Sequence, residues 1–395
     1  MFSIASCGSN CKMPQEVLAE TLEKLAGKPS FILGGMAALH DAQAAVKNLP
    51  DGVQFHGSTS CLGIMTEDGA FIDDGKGCGF IAISDDDGEF GSAIVPVKKD
   101  DVAAAAEEAL LLALERAGRP GEAPELIWLT STPGAEEQVI AGIQEVIGEG
   151  IPICGGSAAD NEVVGNWFVF DKDGAHGNAV AVSVFFPSVP LGYAFHSGYR
   201  PTSTSGTVTQ TDGRHIVSID NKPAADIYNG WTEGAIKHAV SEGGNVLSDT
   251  TLNPLGRRRD AIAGFDYFLL SHPDSVTKDG ALSLFSDIAV GEEITLMEGT
   301  SDNLVQRASR VAEHALEMAR LDKDQLAGAL VIYCAGCMLT VQDRMDEVAQ
   351  GLQEALGNKP FLGNFTFGEQ GCFVGGSNHH GNLMISVVVF GSQTR

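Results

Sequence analysis

One pattern of elements occurs three times along this chain, and it leaves few folds open. It is plainest at residues 329–390. An apolar run is followed by Met345, Val348, Leu352 and Leu356 at helical spacing, then a short strand, a glycine-containing polar stretch at 363–370 and a β-branched run at 382–390. Residues 125–186 repeat it, with Val139, Ile140, Ile143, Val146 and Ile147 marking the helix and Gly155 and Gly156 following the second strand. Residues 30–84 give a fainter version, with an alanine-rich helix expected over 36–47 and the run Gly-Ser-Thr-Ser-Cys at 57–61. No single unit of this kind buries its own apolar face, so the units must pack on one another. The expected class is α/β, with mixed sheets covered by helices.

A chain of 395 residues exceeds the usual size of one core. Two related domains are expected, 1–195 and 196–395, divided at the polar stretch 199–206, which reads as strand-breaking. A hairpin turning at Asp212-Gly213 should follow, then a turn into a helix near 221–228, strands at 261–271, 281–288 and 293–298, and a helix capped by Ser301. Before the repeats stand a strand at 2–6, a helix opened by Pro14, a strand at 91–97 and a helix over 102–117 capped by Asp100-Asp101.

With 52 acidic against 25 basic residues the formal charge is −27, which repels nucleic-acid backbones and anionic membranes. The basic run Arg257-Arg258-Arg259 reads as a solvated loop, an anion site there being the alternative. The eight cysteines are spread through the chain as free thiols are. The amino terminus lacks the basic start of a secretory signal and no apolar run is long enough to span a bilayer, so a cytoplasmic location is expected.

In a right-handed strand–helix–strand crossover both strands leave at the same edge, where ligands collect. This sets Cys334, Gly336 and Cys337 beside Gly363, Asn364, Gly368 and Glu369 as ligand-binding candidates, with Gly155, Gly156 and Ser157 as the corresponding set in the first half. The glycines either admit a ligand to the backbone or serve tight turns. Glu369 either supplies a charge or caps local amides. Cys334 and Cys337 form one Cys-x-x-Cys pair where a structural zinc site needs four ligands; Cys372, His379 and His380 downstream could complete a set but lie beyond the loop, so no metal is assigned. His56 and His196 offer axial nitrogens to a haem, without an attachment motif. Ser58, Ser60 and Cys61 follow a strand but form no nucleophile elbow, and phosphate-loop motifs are absent. No catalytic residue is assigned.

The order of these segments resembles the FIST proteins, which join a FIST N and a FIST C domain. The resemblance rests on Ile-Cys-Gly-Gly-Ser-Ala-Ala-Asp at 153–160, Gly-Thr-Val-Thr at 206–209, Ile-Asp-Asn-Lys-Pro-Ala at 219–224, Cys-Ala-Gly at 334–336 and Gly-Asn-Phe-Thr-Phe-Gly-Glu at 363–369. Cys337 departs from the pattern, since the family often has arginine there. The resemblance implies a sensory input module that binds a small, amino-acid-like ligand and signals through a separate protein, such as a kinase or a cyclic-dinucleotide enzyme. A haem-based nitric oxide sensor and an enzyme using a Cys or Glu at the loop edge are its alternatives, and the cofactor stays unknown with haem among the options.

Overall fold

The computed structural model describes residues 1–262, 265–373 and 375–393. Its first unit runs β1 (Phe2–Ser9), α1 (Pro14–Lys24), β2 (Phe31–Met36), α2 (Ala42–Val46), β3 (Gln54–Thr59), the hairpin β4 (Ile64–Thr66) and β5 (Gly69–Phe71), and β6 (Cys78–Asp85). The second runs β7 (Glu89–Pro96), α3 (Val102–Arg116), β8 (Leu126–Ser131), α4 (Glu136–Ile147), β9 (Ile153–Gly156), the hairpin β10 (Val169–Asp171) and β11 (Gly174–His176), and β12 (Ala179–Phe186). The third opens with β13 (Leu191–Ser197) and, after a long insertion, continues with α5 (Ser301–Ala319), β14 (Leu326–Cys334), α6 (Ala335–Thr340), α7 (Met345–Ala355), β15 (Phe361–Thr366), the hairpin β16 (Glu369–Cys372) and β17 (Asn378–Gly381), and β18 (Met384–Gly391). Each unit thus begins a strand and a helix earlier than the sequence pattern marks it.

Each unit forms a sheet in the same strand order: first, last, second, third. Among the described residues only the middle pairs, β2/β3, β8/β9 and β14/β15, are parallel, because each is joined by a helical crossover. The hairpins are exchanged in a ring. That of unit two extends sheet one through β10 on β3, that of unit three extends sheet two through β16 on β9, and that of unit one extends sheet three through β4 on β15. Strands therefore pair across residue 195 in both directions.

The inner strands of each sheet, such as β2, β6, β8, β12, β14, β15 and β18, are buried on both faces, which is why most of them read as nearly unbroken apolar runs. Period-two alternation then divides the side chains between two cores. Leu330 and Ile332 of β14, Leu126 and Trp128 of β8, and Phe31 and Leu33 of β2 meet in one central cluster shared by the three sheets. Ala329, Val331 and Tyr333 turn outward to α5, α6 and α7. At the centre Phe185 contacts Phe31, Phe90 and Phe390, so aromatic rings of all three units touch one another.

The insertion forms a separate sheet with its own core around Val208, Ile216, Tyr228, Leu255 and Ile294. Its first strand is Arg200–Asp212. The stretch 199–206 therefore does not break a strand: its threonines and serines suit an extended, half-exposed edge. Arg257, Arg258 and Arg259 lie within the strand Leu255–Ile262 rather than a loop, with Arg257 buried and held to the carbonyl of Asp287. The helix expected over 36–47 shrinks to Ala42–Val46, capped by Asp41, because Met36 ends β2. The cap of α5 is Thr300, whose hydroxyl accepts from the amide of Asn303.

Phe185→Ala should destabilise the protein by about 3–5 kcal/mol. Because the cavity it leaves touches all three units, denaturant unfolding followed by fluorescence and by circular dichroism should shift as one coincident transition. Separate transitions would mean that the units do not share a core.

Candidate functional site

The parallel pairing of β14 with β15 puts Cys334 directly opposite Thr366, at neighbouring strand ends. Cys337 follows one turn into α6, so the Cys-x-x-Cys segment is a strand end and a helix start rather than an open loop. Glu369 opens β16, with two residues between it and the end of β15. Its side chain is fully buried, and its two oxygens accept hydrogen bonds from the Thr366 hydroxyl at 3.0 Å and the Met384 amide at 2.9 Å. Burial, together with the nearby Cys334, pushes its pKa well above the carboxylate range, which favours the neutral acid.

Cys337 is also fully buried, yet burial does not set its titration. Burial pushes it up, but the thiol of Cys334, the charge of Arg307 and the hydroxyl of Tyr199 together bring it below its ordinary value, while Cys334 is raised. Arg307 reaches Cys337 Sγ at 3.8 Å and donates to the carbonyls of His196 and Leu383 at 3.1 and 2.9 Å. Its guanidinium lies 5.6 Å from the Tyr199 ring centroid, and the Tyr199 hydroxyl is 3.6 Å from Cys337 Sγ. Sequence reasoning missed Arg307 and Tyr199. The signal was an arginine on the buried stripe of an amphipathic helix, at a site where burial demands a partner.

A small cavity of about 40 Å³ touches this cluster. Cys334, Gly336, Thr366 and Phe367 form one side, and His272, Phe285 and Leu247 of the inserted sheet face them. Asn382 also borders it, with its Nδ2 buried and without a hydrogen-bond acceptor. Glu369 is not part of the wall and stands behind Thr366.

The remaining candidates fall elsewhere. Gly363 and Asn364 lie inside β15, where a Cβ on Gly363 would meet the Met65 side chain at 2.6 Å. Gly155 has φ of 152° and a Cβ there would stand 1.8 Å from the Leu129 carbonyl oxygen, so this glycine serves the β8/β9 approach. Gly156 pairs with Glu369 across β9 and β16. Ser157 donates to the buried Glu136 at 3.0 Å and accepts from Gln370 at 3.3 Å, and Gly368 makes room for the His380 ring beside it.

Glu136, Glu137 and His380 are close enough to share a cation. Arg214 of the inserted sheet already bonds Glu136 and Glu137, at 2.9 and 2.6 Å, so its guanidinium supplies the charge. Cys372 lies on β16 and His379 and His380 on β17, away from Cys334. Of the two haem-ligand candidates, His56 is buried with both ring nitrogens engaged, by Ser183 at 2.8 Å and Thr130 at 2.9 Å. His196 is exposed, with Nδ1 against the backbone of Ser197.

With this geometry in view, the comparisons are decisive at one level. A FIST N domain model matches residues 36–222 and a FIST C domain model matches residues 224–372. The chain belongs to the FIST family. FIST domains are associated with sensory proteins of signal transduction. No curated protein matches the chain. Among solved structures, cyanuric acid hydrolase from A. caulinodans is similar with a TM-score of 0.40 and 10% identity over all of both chains. PurLQS from Thermotoga maritima is similar with a TM-score of 0.21 and 9% identity, over all of this chain and 73% of that one. No helix among the described residues is long and apolar enough to cross a membrane.

Burial fixes how this FIST protein answers to pH. Desolvation lowers His56 from 6.5 to about 3 and His272 to about 4, so both stay neutral in the fold while the unfolded chain protonates them below 6.5. Stability from these groups is full above that value and falls as pH drops through it. Glu369 works in the opposite sense, since the unfolded chain ionises it above 4.5 and the fold resists. Glu369→Gln should therefore fold, and its urea midpoint should rise more steeply with pH between 4.5 and 6.5 than that of the wild type. Equal slopes would mean that Glu369 titrates normally.

Proposed function

We propose that this chain is a small-ligand-binding input module whose signal passes to a separate protein, such as a kinase or a cyclic-dinucleotide enzyme. The ligand contact is assigned to the cavity between the Cys334–Gly336 turn, Thr366-Phe367 and the inserted sheet. The observation that carries this reading is the position of that cavity, whose walls come from both the third unit and the insertion. At about 40 Å³ it holds little more than one or two waters. Any larger ligand must part the inserted sheet from α6, and a packed seam of this kind moves between discrete positions rather than yielding gradually. Such a displacement is what a partner protein reads.

The polar equipment suits a small polar ligand of amino-acid type. Asn382 Nδ2 is a donor without an acceptor, and Thr366, on the cavity wall, donates to Glu369 at 3.0 Å. Ligand entry would re-expose Glu369 through Thr366 and let it ionise, which turns a neutral acid into a partner for an ammonium group. A second reading, thiol chemistry at Cys337, has the lowered pKa of that thiol in its favour and its complete burial against it.

Gly336→Ala tests the assignment. A Cβ at this position meets Leu383, Cys334 and His272 at 3.4–3.6 Å, ordinary contact distances, so the protein should keep its Tm while the cavity shrinks. A ligand found by thermal-shift screening of metabolites should bind Gly336→Ala at least tenfold more weakly by calorimetry, about 1.4 kcal/mol. Unchanged affinity would move the ligand out of this cavity.

A further inference from the structure

A larger cleft of about 430 Å³ opens on the other side of Arg307, between β13 and α5. Its helical wall is a single stripe, Asn303, Arg307, Arg310 and His314, at spacings of four, three and four residues. Arg200 and His196 stand opposite, and no carboxylate is among the described residues that line it. In a chain with twice as many acidic as basic residues, three arginines converge on this cleft, and Arg200 alone of them has a carboxylate partner among the described residues, Glu298, which does not line it. Like charges at such spacing repel one another and cost stability unless something negative lies between them.

The arrangement also contains an unfilled hydrogen-bond demand. Arg307 is 3% exposed, its two terminal nitrogens are engaged, and its Nε has no acceptor. Gly198 lets the Arg307 side chain pack directly on the backbone that follows β13, since a Cβ there would stand 2.6 Å from Arg307 Cδ and 3.1 Å from Nε. A buried donor left unmet is expensive, and an incoming anion would meet it. Arg310 is exposed at the mouth, held only to Gln306 Oε1 at 2.9 Å, and Arg200 is paired with Glu298 at the surface.

We propose that this cleft binds a small, multiply charged anion through carboxylate or phosphate oxygens, with Arg307 at its floor and Arg310 and Arg200 at its mouth. The forked guanidinium matches both oxyanions. The site is separate from the cavity beside Cys334 and does not depend on that assignment. Arg307 touches Cys337, so an anion on Arg307 draws the guanidinium's charge away from the thiol.

The test is calorimetry at low ionic strength with succinate and with inorganic phosphate, using glucose and choline as neutral and cationic controls. Binding is expected for at least one anion and for neither control, weakening as salt is added. Binding of succinate alone assigns dicarboxylates, and binding of phosphate alone assigns phosphate esters. Arg307→Gln would strip the donors from two buried carbonyls and is unsuitable, so Arg310→Gln and Arg200→Gln, both at exposed positions, carry the test. Each should weaken binding about tenfold or more with Tm unchanged. Absence of binding by both anions, or full affinity in both variants, overturns the proposal. Loss of ligand binding in Gly336→Ala with anion binding intact would confirm that the two sites are distinct.

Discussion

Everything in this molecule depends on the burial of one set of side chains that three sheets share. Phe31, Trp128, Phe185, Leu330 and Phe390 come from three units, and none of those units encloses them alone. Burying a large apolar side chain contributes about 1.5–3 kcal/mol, so the central cluster gives the three sheets a strong reason to assemble. The outer helices then close the second face of each sheet, and the exchanged hairpins cap the strand edges that would otherwise stay open. The polar sites sit where this scheme is interrupted, at the ends of β14 and β15 and along β13 and α5.

Those sites show how a protein interior tunes chemistry. Glu369 and Cys337 are both fully buried and both meet Arg307's field, yet they respond in opposite directions. Glu369 has two neutral hydrogen-bond donors and no close cation, so desolvation prevails. Cys337 has a thiol, a phenol and a guanidinium within reach, and together they outweigh the same desolvation. The inserted sheet contributes Arg214 to the buried Glu136 and its half-buried neighbour Glu137, and His272 to the cavity wall, so it is tied electrostatically and sterically to the units that flank it.

Strand and helix periodicity made much of the fold legible. The apolar runs of β8, β14 and β18 and the stripe of α7 lie where their spacing put them, and the crossover rule brought Cys334 beside Thr366. What was not legible was partnership between distant segments. Nothing near residue 369 announces that it will pair with Gly156, and nothing near 64 announces β15. Glycine was the most ambiguous letter: Gly155, Gly363 and Gly198 each admit a neighbouring strand or side chain, whereas Gly336 has only ordinary contact distances around it. Local chemistry distinguishes these cases only once the neighbours are known. The same holds for Glu369, whose residue type suggests a charge and whose surroundings suppress it.

The ring of hairpin exchange has a consequence for how the protein is made. Sheet one is complete once residue 176 has emerged from the ribosome, but the edge of β9 waits for the hairpin at 369–381, and β4 and β5 wait for β15. At ordinary rates of translation that interval is on the order of 10–40 s. Throughout it the nascent chain displays an open strand edge and an unfinished apolar centre, the features that promote misassembly with neighbouring chains. A polypeptide of this topology therefore completes its second and third sheets only after the strands at 361–391 have arrived.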